Sequence, residues 1–115
     1  MRGFQVYYQR NGEPYPGDEE TQAAAVSHDF TDENKVVKQE TLPNGVRVST
    51  VWVGLDRSYG HGPPLIFETV ALRSEGDPFC VDQRFYPTQD KALAGHDELV
   101  EKWRKARKPQ KAKGG

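Results

Sequence analysis

An α+β fold is predicted for this 115-residue chain by three observations: short β-rich runs, turn residues set between them, and a switch to helical spacing near the C-terminus. The length is that of one domain. With 35% hydrophobic and 29% charged residues, the core must be small and the ends are expected to lie outside it.

"FQVYYQ" (4–9) alternates in the manner of a short strand. The stretch after it, "NGEPYPGDEETQ", has two prolines, two glycines and four acids, which predicts that residues 10–34 are mostly loop, with a turn of helix in "AAAVSHDF". "ENKVVKQETLPNGVRVSTVWVG" reads as a hairpin in which Pro43-Asn44-Gly45 supplies the turn and its positive-φ position. A second hairpin joins "VRVSTVWV" to "PLIFETVAL" through a loop rich in glycine, proline and rings, and the turn "RSEGDP" leads into "FCVDQRFY". About four strands in succession make an antiparallel meander, with the N-terminal run as a possible extra strand.

Beyond Tyr86 the period changes. Thr88 is a suitable N-cap, and Ala92, His96, Leu99 and Trp103 recur at helical spacing, which predicts one amphipathic helix from about Gln89 to Arg107 packed on one face of the sheet. A lone hairpin is marginal in water, whereas such a sheet can stand once a helix covers it. Along the second strand of the first hairpin Val46, Val48, Thr50 and Trp52 share one face, and Arg47, Ser49, Val51 and Val53 the other. Neither face is wholly polar, so cover by the N-terminal segment or by a second copy in a homodimer is anticipated. The domain is expected to span 1–107, with 108–115 a basic disordered tail.

All 17 acidic residues lie at or before Glu101, while seven of the 16 basic ones follow it in "KWRKARKPQKAKGG". That polarity could hold nucleic acid through phosphates, although basic residues at a helix end also suit the helix dipole with no partner. Cys80 is alone, which excludes an intramolecular disulfide. No run approaches the roughly 20 apolar residues of a membrane span, and the first residues lack the apolar centre of a signal peptide. The protein is thus expected inside a cell and away from membranes.

The loop between the central strands offers Asp56, Arg57, Tyr59 and His61 as candidate binding residues, with Gly60 and Gly62 permitting close backbone approach and Pro63-Pro64 stiffening the exit. A cation, a ring and exposed amides suit an acidic peptide or a nucleotide; the bland alternative is a folded-over connection. His28, His61 and His96 with Asp56 and Asp82 have no metal-ligand spacing, so no metal and no cofactor are assigned. His96 falls on the apolar helix face and reads as a hydrogen-bonded core histidine. Glu68 shares a strand face with Ile66, Val70 and Leu72 and needs a partner; a cross-strand ion pair with Arg84 is expected if 68 stands opposite 84. Cys80 reads as a buried thiol, with no nucleophile motif around it and no phosphate-binding glycine loop elsewhere, so no catalytic residue is assigned.

Three stretches, "VSTVWVGLDR" (48–57), "GPPLIFETV" (62–70) and "RFYPTQDKALAGH" (84–96), together resemble a pattern that recurs in this order in small uncharacterised proteins of bacteriophages and prophages. The family pattern usually has Phe at the place of Trp52, His at that of Arg57 and Met at that of Val70. The resemblance covers roughly half the chain and implies a phage accessory protein of the host cytoplasm, with no catalytic residue to carry over. The expected function is non-enzymatic binding of a host or phage macromolecule through the Asp56-to-His61 loop. The alternatives are an oligomer binding a small ligand such as a signalling nucleotide, and nucleic-acid binding through the C-terminal tail.

Overall fold

A computed structural model describes residues 6–58, 61–73 and 79–106. Four strands, β1 (Val36–Thr41), β2 (Arg47–Trp52), β3 (Phe67–Leu72) and β4 (Cys80–Tyr86), form one antiparallel sheet in the order β1-β2-β3-β4. This is the expected meander, with Gly45 at φ +93° in the first turn. Helix α3 (Gln89–Arg104) follows β4, capped by Thr88, whose side chain accepts from the Lys91 amide, and lies across one face of the sheet.

Two helices occupy the stretch expected to be mostly loop: α1 (Glu19–Asp29) and the single turn α2 (Asp32–Lys35). Asp18 caps α1 by accepting from the Thr21 amide, and Glu19 and Glu20 sit in its first turn, where carboxylates favour the positive end of the helix dipole. The acids that suggested a loop are therefore helix-start signals. Before α1, Tyr7 and Tyr8 make only isolated bridges, to Leu55 and Pro14, in place of the expected N-terminal strand; residues 1–5 lie outside the described residues.

Strand alternation divides the side chains between two faces. The covered face carries Val48, Thr50 and Trp52 of β2 and Phe67, Thr69 and Ala71 of β3, all buried. Its core has two apolar parts. At one end Trp52, Ile66 and Phe67 pack with Tyr15 and Ala92, helped by Tyr7, Tyr8, Ala25 and Val26 of the N-terminal segment. At the other, Val46, Val48 and Ala71 pack with Leu42 and Leu99. Between them lies a polar layer: Thr69 Oγ1 and Thr50 Oγ1 are 2.8 Å apart, and Thr50 Oγ1 is 2.8 Å from His96 Nδ1. His96 Nε2 donates to Glu40 Oε2 at 2.9 Å, so in the neutral ring Nδ1 accepts from the Thr50 hydroxyl, which accepts from Thr69.

The N-terminal segment and α3 share that covered face. The opposite face carries Val36, Gln39 and Thr41 of β1; Arg47, Ser49 and Val51 of β2; Glu68, Val70 and Leu72 of β3; and Gln83 and Phe85 of β4. α2 stands at its β1 side, so that Asp32 and Glu33 wall a shallow trough floored by Val36, Gln39, Ser49, Val70 and Leu72.

Candidate functional site

The loop after β2 is held by its own aspartate. Asp56 Oδ1 accepts from the Ser58 amide at 2.8 Å and from the Leu65 amide at 2.9 Å, and the Arg57 amide donates to the Leu65 carbonyl at 2.9 Å. Partial burial would raise the Asp56 pKa, but the hydrogen bonds from Ser58 and Leu65 outweigh it and hold the carboxyl below its usual range. Asp56 thus latches the two ends of the loop together through Oδ1.

Arg57 and His61 are the expected binding residues whose side chains the structure leaves exposed. The Arg57 guanidinium carbon lies 4.9 Å from the centre of the Phe85 ring, at the end of the open sheet face, and the His61 amide donates to the Ser58 carbonyl. Gly62 has φ +93°, as the turn requires. Tyr59 lies outside the described residues, as does the basic stretch beyond residue 106.

Beside the loop is a feature that the sequence did not reveal. Tyr7, Val26, Ser27, Phe30, Val53 and Leu55 line a pocket of about 350 Å³. Phe30 and Leu55 stand at its mouth, 39% and 37% exposed, which is unusual for residues of this size in so small a core. Tyr7 is fixed by its bridge to Leu55 and by its amide, which donates to Gln22 Oε1 at 3.0 Å. Phe30 is braced by the Trp52 ring, with centroids 5.7 Å apart, and by Lys35, whose Nζ is 4.8 Å from the ring centre. Three segments distant in the chain make this pocket, and no local pattern marks such a convergence.

The expected Glu68–Arg84 pair does not form. Glu68 stands opposite Phe85 and Arg84 opposite Thr69, so the two side chains project to opposite faces. The cause is a β-bulge at Val81: Leu72 pairs with Cys80 but Ala71 with Asp82, and this extra residue shifts every later pair by one. Glu68 instead accepts from Gln83 on the open face, and Arg84 donates to Glu98 of α3 at 3.1 Å. Cys80 is exposed rather than buried, because it sits at the outer end of an edge strand.

His96 is a core histidine, as its helix position predicted, and is fully buried with both ring nitrogens engaged. Trp103 donates through Nε1 to Asp82 Oδ2, to which Lys102 also donates at 2.7 Å. Among the described residues no three His, Cys, Asp or Glu side chains gather as a metal-holding group, and no helix is long and apolar enough to cross a membrane. Comparison with protein-family models, curated proteins and solved structures finds no match to this chain.

Proposed function

We propose that this is a non-enzymatic phage accessory protein that binds a host or phage protein through the Phe30–Leu55 pocket and the loop beside it. The observation that carries the reading is the pocket itself: two large apolar side chains more than a third exposed, with Leu55 opening the chain segment that runs on to the exposed Arg57 and His61. An apolar patch rimmed by polar groups is the usual form of a protein-docking site. The matching surface on a partner is an apolar anchor that fills the pocket, flanked by a carboxylate for Arg57. The phage context comes from the resemblance of residues 48–57, 62–70 and 84–96 to phage and prophage proteins, and a host-cytoplasmic location follows from it.

A photo-crosslinking side chain placed at Leu55 and, separately, at Ala94 on the exposed part of α3 tests this in infected or host cells. A discrete crosslinked species is expected from position 55, absent from position 94, and weakened severalfold by Phe30→Ala. No species from position 55, or the same ones from both positions, would contradict the proposal.

A further inference from the structure

We propose that the open face of the sheet is the interface of a face-to-face homodimer in which Arg47 of each copy pairs with the partner's Glu68. This surface lies apart from Phe30 and Leu55 and meets the loop only at its end, where Arg57 lies over Phe85; the inference does not rest on the function proposed there.

Val36, Val51, Val70, Leu72 and Phe85 lie on this face, each partly exposed, because α3 and the N-terminal segment both pack on the other side. Two charges stand among them. Arg47 donates to Gln39 and Glu68 accepts from Gln83, both neutral, and among the described residues neither forms an ion pair. They cannot pair within one chain: Arg47 is opposite Leu72 while Glu68 is opposite Val51, four residue steps along the strands and one strand across. Standard strand rise and spacing make that separation about 14 Å.

Symmetry then limits how two such faces can meet. A two-fold axis parallel to the strands and midway between β2 and β3 sets Arg47 over the partner's Leu72, and one perpendicular to them at the level of Ser49 sets it over the partner's Val51. Either arrangement strands a desolvated charge against apolar groups. The axis that exchanges Arg47 with Glu68 bisects the line between them, passing between Ser49 and Val70 at roughly 20° from the perpendicular to the strands. Strands of the two sheets then run antiparallel with an inclination of roughly 40°, close to the approximately 30° of aligned sheet packing. The same operation sets Val70 against itself and Leu72 against the partner's Phe85. Across a gap of about 10 Å between sheets, an arginine and a glutamate reach each other.

Strand dimensions give the face a flat footprint of roughly 20 by 20 Å. That is below the approximately 800 Å² per partner of a standard interface even after allowance for side-chain relief, so a weak dimer that forms only at high protein concentration is expected. Sedimentation of the full chain from about 10 to 500 μM tests it. Dimer should accumulate over that range. Arg47→Glu or Glu68→Arg alone should weaken association at least tenfold, and the double reversal should restore it, with circular dichroism confirming the fold. Should a single reversal fail to fold, treatment of Val70→Cys in a Cys80→Ser background with a bismaleimide linker of about 8 Å decides, because sheets about 10 Å apart hold these thiols beyond disulfide reach: a covalent dimer supports the arrangement, and no more crosslinking than Ala94→Cys contradicts it. A wild-type monomer at 500 μM, or single reversals that associate like wild type, would overturn the proposal.

Discussion

Thr50 and His96 show how much of this small core depends on single polar side chains. Both are fully buried, and each bonds to another element: Thr50 to Thr69 on the next strand and to the α3 imidazole, His96 onward to Glu40 on β1. Thr50→Val keeps the shape but leaves His96 Nδ1 and the Thr69 hydroxyl short of a partner, which should cost about 1–3 kcal/mol in urea unfolding. Val48→Thr, by contrast, would add a hydroxyl to an apolar region with no acceptor provided. That His96 belongs to the core was readable from its spacing with Ala92 and Leu99. That its partners are Glu40 and Thr50 was not, because 56 and 46 residues of chain separate them and only the strand order brings them together.

At the scale of the element, α3 fits the sheet through an absence. A Cβ on Gly95 would overlap the Tyr86 ring, so the glycine at the middle of the helix makes room for the last residue of β4. In an ordinary helix Gly→Ala stabilises by about 0.5–1 kcal/mol. Here Gly95→Ala should destabilise by about 1–3 kcal/mol, and the sign should revert toward stabilisation in a Tyr86→Ala background, both measured by denaturant unfolding. The four strands and α3 were legible because alternation, turn residues and helical spacing are local signals. Of α1 only a turn, in "AAAVSHDF", was legible, because its apolar residues make no clear stripe and its acidic start resembles loop composition. The pairing of Glu68 was misread because one extra residue, Val81, sits in a bulge that no local pattern announces, and a shift of one residue turns every later side chain to the other face.

Across the whole molecule the sheet has one face that carries the core and one that α3 and the N-terminal segment leave open. Residues of all three stretches that carry the phage resemblance meet on the core side: Thr50 and Trp52, Phe67 and Thr69, then Tyr86, Ala92, Gly95 and His96 with the capping Thr88. Those stretches therefore describe how α3 seats on the sheet. The latch at Asp56 closes the loop between β2 and β3, whereas Arg57, Phe30 and Leu55 face outward and were legible only in part, Arg57 from its loop and the two apolar residues not at all. The division of faces is tested most directly by methyl NMR of the full chain on dilution from about 500 to 10 μM, the range of the sedimentation test. Signals of Val51, Val70 and Leu72 should move together with concentration while those of Val48 and Leu99 stay fixed; shifts that are the same at every concentration, or that move at Leu99 instead, would contradict it.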